Sequence, residues 1–179
     1  MIDHQEPTGT DLTARFIRAL RRCKPTSIIG RDGFDLPYLE RTLLWEGFLG
    51  SVTVHRFRRN DADVPHDHSF DFLTFILRGA YREERYEWKD GVLIVKGDHL
   101  LKAGQVAFRS ARTIHRVHVD GGEAWTLVLR GPKRRAWSFW TESGPVLWWE
   151  YLNLPEPGPN ATKRWLNGVG RKIRLGERP

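Results

Sequence analysis

The chain is poor in cysteine: Cys23 is the single one among 179 residues. No disulfide can form within it, and the length predicts one domain whose core stands without disulfides or a structural metal. A reducing, cytoplasmic compartment is the expectation that follows. No apolar run approaches the length that spans a bilayer, and the opening M-I-D-H-Q-E-P lacks the basic and apolar regions of a signal peptide. A membrane partner is therefore not expected. Helical periodicity is scarce too, which excludes a helix bundle and an alternating βα architecture.

One sign of charge dominates. The formal net charge is +7 and the sequence pI is near 9.9, a balance that favours anionic partners. Much of the excess is local, because residues 152–179 carry Lys163, Arg164, Arg171, Lys172, Arg174 and Arg178 against Glu156 and Glu177. That tail holds +4 and leaves +3 for everything before it. The body is near balance, so a nucleic-acid face is not expected. The run Gly131-Pro132-Lys133-Arg134-Arg135, followed by Trp137 and Trp140, reads as a basic loop feeding an aromatic strand of the core.

Asp11 to Cys23 places Leu12, Phe16, Ala19, Leu20 and Cys23 at helical spacing with arginines around the other side, and Thr10 or Asp11 can cap it. This predicts an amphipathic helix lying as a lid on a sheet. From Ser27 onward short β-like runs follow one another, separated by turn residues such as Lys89-Asp90-Gly91, Lys96-Gly97-Asp98 and Ser143-Gly144-Pro145. Many short strands with almost no helix between them predict an all-β antiparallel sandwich or barrel. Three regions result: a helical segment over 1–26, an antiparallel β-sandwich or β-barrel over 27–151, and a basic, proline-containing arm over 152–179 with Trp165 and Leu166 as anchors.

The chemistry is carried by Val64 to Gly79, V-P-H-D-H-S-F-D-F-L-T-F-I-L-R-G. In an extended chain residues i and i+2 share a face, so His66 and His68 can present two imidazoles to one point. Asp67, between them, is expected to point outward. The apolar segment Phe72 to Leu77 reads as a strand buried on both faces. Phe72, Thr74 and Ile76 on one face, with Trp125, Leu127 and Leu129 or their alternates, imply a largely apolar pocket. The other face needs a cover, either the helix or a second copy of the chain.

The stretch from His66 resembles the first motif of the cupin superfamily, G-x5-H-x-H-x3-E-x6-G, with His66, His68 and Gly79 on its histidines and closing glycine. The second cupin motif, G-x5-P-x-G-x2-H-x3-N, is matched by Gly104 and His115. Asn60 stands in place of the first glycine and Phe72 in place of the glutamate ligand. Ser110, Arg112 and Val119 replace proline, glycine and asparagine. The resemblance covers roughly residues 51–129. It implies a double-stranded β-helix, or jelly-roll barrel, and places the imidazoles of His66, His68 and His115 inside one barrel mouth.

Three imidazoles with open coordination positions suit a divalent transition metal, Fe(II) first and otherwise Zn, Ni or Cu. Some cupins, thiol dioxygenases among them, look like this three-histidine arrangement. Asp71 falls one residue early for the glutamate and is assigned to orienting a histidine, or to the metal if the chain bulges there. His118 should face away from His115, and neither His99 nor His55 has motif support. Arg112 is the arginine expected to clamp an anionic substrate at the mouth. The implied function is a metal-dependent oxidoreductase or dioxygenase acting on a small anionic molecule, as a homodimer. The alternatives are a metal-free sugar epimerase or isomerase using a histidine base beside Asp71, and a small-molecule binder without chemistry.

Overall fold

The computed structural model describes residues 12–20, 27–30, 37–60, 64–119, 122–156 and 171–174. In chain order the elements are α1 (Leu12–Leu20), β1 (Ser27–Gly30), β2 (Pro37–Gly47), β3 (Gly50–Phe57), β4 (Phe72–Arg78), β5 (Ala80–Lys89), β6 (Val92–Lys102), β7 (Val106–Arg109), β8 (Ile114–His118), β9 (Ala124–Arg130), β10 (Ser138–Thr141), β11 (Gly144–Leu147), α2 (Trp148–Tyr151) and β12 (Arg171–Arg174). The expected all-β architecture is the one observed. A seven-stranded sheet runs β12-β1-β2-β3-β9-β4-β7, a three-stranded sheet runs β6-β5-β8, and β10 and β11 form a separate hairpin. All pairs are antiparallel except β1 with β12.

Side-chain alternation decides what each face of these sheets meets. Ile76, Ala124 and Phe57 of the large sheet pack against Tyr81, Val117 and Leu101 of the small one, with Val119 beside them. This apolar cluster joins the two sheets. On the outer face of the large sheet, Ile17 and Leu20 of α1 pack on Val54, Trp125, Leu77 and Leu127, so the helix does lie on a sheet. The residues it buries are Ile17 and Leu20; Leu12 and Phe16 are exposed, because the sheet lies under the stripe that includes Ile17. Thr10, Asp11 and Cys23 lie outside the described residues, as do Trp165 and Leu166. Within the expected arm, 171–174 form a strand beside β1.

Strand β4 has two unequal faces within one chain. Phe72, Thr74 and Ile76 are buried on the inner face as the alternation predicts, but Leu73 and Phe75 on the outer face are exposed. Their cross-strand neighbours Phe108, Leu129 and Val106 are exposed as well. The helix covers the Leu77 end of this face and stops there.

Lys96-Gly97-Asp98 is not a turn. β6 runs through it, and Lys96 is taken up by a register shift between Arg85/Gly97 and Tyr86/Val95; a bulge absorbs the extra residue that turn chemistry had suggested ends the strand. Gly79, by contrast, requires its glycine: φ is +75°, and a Cβ there would lie 2.2 Å from the Glu123 carbonyl oxygen. Asn60, where the motif has glycine, accepts a hydrogen bond at 2.8 Å from the backbone N–H of Val119, where the motif has asparagine. The two departures meet each other.

Outward on β5 and β8, Glu84 accepts from Tyr86 (2.5 Å) and Arg116 (2.6 Å) and lies 3.1 Å from His118. Burial alone would raise its pKa, but the hydrogen bonds from Tyr86, Arg116 and His118 outweigh it and hold the carboxyl at about 2. A depressed carboxyl stabilises the fold above its ordinary value of 4.5 and loses that contribution as pH falls through the folded value. A quarter of the side chain is exposed, so screening reduces the contribution to about 1 kcal/mol. Glu84→Gln is therefore expected to be less stable than the parent at pH 7 by about that amount. The gap should close between pH 4.5 and about 2. Urea unfolding at several pH values measures this, and a gap unchanged from pH 7 to pH 3 would contradict it.

Candidate metal centre

His66 and His68 are not on a regular strand. Their segment is extended and held by backbone bonds on both sides: His66 and His115 exchange N–H···O bonds of 3.0 Å each way, and His68 N–H donates to Ala111 O at 3.1 Å. Asp67 N–H donates to Ser138 O, and Trp140 N–H to Pro65 O. The hairpin β10–β11 thus lies against one side of the segment while β8 lies against the other. With alternation preserved, His66 and His68 turn to the interior and meet His115.

The three imidazoles converge. Their ring centroids are 5.1, 5.1 and 4.9 Å apart, and one nitrogen from each lies within 4.8 Å of the others. His68 Nε2 and His115 Nε2 are 2.7 Å apart. Burial, and then His115 and His66, push the pKa of His68 well below its ordinary value, so the ring is neutral at physiological pH and offers a lone pair. Phe72, at the position of the motif's glutamate, sits edge-on to His68 at 4.6 Å. An apolar ring thus stands where the motif has a carboxylate.

Behind His115 is a carboxylate that the motif spacing does not point to. Glu83 is fully buried, and its Oε1 lies 2.6 Å from His115 Nδ1. Arg109, also buried, donates Nε to Oε1 at 2.6 Å and a terminal nitrogen to Oε2 at 2.7 Å; Arg85 Nε adds a bond of 3.2 Å. Burial alone would raise the Glu83 pKa, but the bonds from His115 and Arg109 hold it well below the carboxylate range. An ionised carboxylate can only accept, so His115 Nδ1 carries a proton and the ring turns Nε2 to the histidine cluster. Arg109 comes from β7 of the large sheet and Glu83 from β5 of the small one, so the pair also ties the sheets together.

Asp71 accepts from the Ala111 N–H at 2.7 Å and pairs with Arg134 at 3.0 Å; the carboxylate that orients a histidine is Glu83. Arg112 is exposed, in the turn closed by Thr113 N–H to Ser110 O. Asp67 does not point to solvent: it is 1% exposed and accepts from Ser138 N–H, Arg135 and Trp140 Nε1. Its direction follows the alternation, but the hairpin occupies the space that was expected to be solvent. His118 faces outward to Glu84, as the spacing implies. The interior is also less apolar than expected, because the alternates of Trp125, Leu127 and Leu129 are the ones that face it: Thr126, Val128 and Arg130.

No protein-family model matches the chain, and no curated protein is similar to it in sequence. Solved structures are similar in part. KdgF from Halomonas sp. is 17% identical with a TM-score of 0.44, over 54% of this chain and 81% of that one. A cupin superfamily protein from Desulfitobacterium hafniense is 15% identical with a TM-score of 0.43, over 53% and 78%. An RmlC-like cupin from Shewanella frigidimarina is 17% identical with a TM-score of 0.42, over 55% and 79%.

Proposed function

We propose that this chain is a cupin-type metalloprotein that holds one divalent transition ion on His66, His68 and His115 and carries out oxidative chemistry on a small anionic molecule, with Fe(II) as the working ion. The observation that carries this reading is the convergence of three imidazole nitrogens in the interior, one of them with its tautomer set by Glu83. The donor set fits such an ion: all three ligands are neutral, and Phe72 in place of a carboxylate leaves the ion's positive charge uncompensated by protein. An anionic ligand is then favoured at the open positions. Bound there, a redox-active ion would supply dioxygen activation.

The chain's own residues do the positioning. Glu83 holds His115 with Nε2 inward, Arg109 holds Glu83 ionised and in place, and Phe72 keeps water and a fourth protein donor off one side. Anaerobic loading with Fe(II), followed by oxygen-electrode assays against small thiols, 2-oxo acids and sugar acids, tests the reading. Oxygen uptake that needs both iron and one class of substrate is the expected result. A loaded protein that consumes no oxygen with any class would leave a binder without chemistry.

A second reading is favoured by one contact. The 2.6 Å bond between His115 Nδ1 and Glu83 is also the arrangement of a histidine general base with its orienting carboxylate. A metal-free epimerase or isomerase would use His115 Nε2 for proton abstraction. Protein that takes up no Fe(II) would favour this reading.

A further inference from the structure

We propose that the inner face of the large sheet carries an oxyanion seat, built from Arg41, Arg130 and the Thr126 hydroxyl with Ser51 and His55 beside them, that receives a carboxylate or phosphoryl group. The claim that this group belongs to the substrate rests on the function proposed above; the seat itself does not.

Strand register places these residues together. Arg41 of β2 is opposite His55 of β3, which is opposite Thr126 of β9. Ser51 is opposite Arg130, which is opposite Phe72. Ser51 and His55 are separated by an even number of residues on one strand, as are Thr126 and Arg130 on another, so both rows project to one face. Phe72 identifies that face as the interior, because it lies against His68.

No carboxylate among the described residues pairs with the charge there. Elsewhere the partly or fully buried arginines have carboxylates: Arg56 has Glu123, Arg109 has Glu83, Arg116 has Glu84 and Arg135 has Asp67. Among the described residues neither Arg41 nor Arg130 forms an ion pair. Arg130 donates to Ser51 Oγ at 2.8 Å and lies over the Phe70 ring at 4.9 Å; Glu46, the acid that acts on it, is exposed and forms no bridge to it. Among the described residues Arg41 Nε and Thr126 Oγ1 are both buried without a hydrogen-bond partner, and Thr126 is 0% exposed. A buried donor left unsatisfied destabilises the fold, a cost that an incoming acceptor removes.

The three basic groups feel one another. Burial lowers the Arg41 pKa, and burial followed by the charge of Arg41 brings Arg130 to about 10. Burial, Arg41 and Arg130 push His55 well below its ordinary value. At neutral pH two guanidiniums therefore remain charged beside a neutral imidazole. Arg41 and His55 also act on His68, which sets the seat within electrostatic reach of the three histidines. Two guanidiniums and a hydroxyl are the complement of a compact oxyanion; a neutral ligand would leave both cations unpaired.

Calorimetric titration of the full chain, stripped of metal with a chelator and held at constant ionic strength, tests this with malonate in one arm and inorganic phosphate in the other. One saturable site is expected in at least one arm, and the arm that binds assigns the carboxylate or the phosphoryl group. Arg41→Met and Arg130→Met should each weaken it about tenfold or more, the loss of one charge-assisted bond. Lys96→Met, which removes an exposed cation paired with Glu87, should leave it unchanged. Thr126→Val, which removes only an unpartnered hydroxyl, should fold at least as stably as the parent and still bind more weakly. His66→Ala should keep the anion while losing metal, which separates failure of the seat from failure of the metal reading. Absence of saturable binding in both arms would overturn the proposal, as would equal affinity in parent and Arg41→Met, or loss of the anion in metal-free His66→Ala.

Discussion

His115→Ala is expected to abolish metal binding under conditions where the parent binds one equivalent. In the proposed centre the residue supplies one of three donors, and it is the one held in place by a buried carboxylate. Two imidazoles on a short extended segment remain, without the third donor that closes the chelate. The loss should be roughly a thousandfold in affinity or more, which corresponds to about 4 kcal/mol. Titration with Co(II), followed by its visible absorption, reads both affinity and geometry. Glu83, now facing an alanine, keeps Arg109 and Arg85, so the variant is expected to fold. An affinity for Co(II) within tenfold of the parent would mean that His115 is a structural histidine and that the centre lies elsewhere.

Arg109→Met should be the most destabilising single change near the site. Its guanidinium makes two short bonds to a carboxylate with no exposure to solvent. Removing the cation leaves Glu83 buried with Arg85, itself more than a third exposed, and His115. Breaking a buried pair in this way costs about 3–5 kcal/mol, because the remaining charge cannot return to water. For a domain of this size the melting temperature should fall by roughly 10 °C. Since Arg109 spans the two sheets, the loss should appear in global unfolding by both heat and urea. A shift corresponding to under about 1 kcal/mol would show that Glu83 finds other partners or takes up a proton.

The sequence was informative about the site where chemistry and geometry share a short stretch. His66 and His68 are two apart on an extended segment, and the spacing from Gly104 to His115 matches a motif, so their convergence could be anticipated. The positive φ values of Gly79 and Gly104 show that the motif glycines answer to backbone demands. Glu83 could not be found this way. It sits in Arg82-Glu83-Glu84-Arg85, where two adjacent glutamates have opposite fates: Glu83 faces His115 across the interior, and Glu84 faces Arg116 and His118 outside. Which of the two turns inward depends on the pairing of β5 with β8, Arg85 opposite His115, and no local pattern encodes that.

Asp67 shows the same limit from the other side. Its alternation with His66 and His68 was legible, but not the hairpin about seventy residues later that takes its carboxylate into Ser138, Arg135 and Trp140. Arg41 and Arg130 are the most distant case. They lie 89 residues apart in the chain and are brought to one face only through His55 and Thr126, residues that carry no motif.

Elemental analysis of protein purified without tag or chelator, beside His66→Ala prepared identically, tests the account most directly. About one equivalent of iron, nickel, copper or zinc in the parent and almost none in the variant is the predicted result. Parent protein that stays free of metal even after anaerobic exposure to Fe(II), with its three histidines intact, would contradict it.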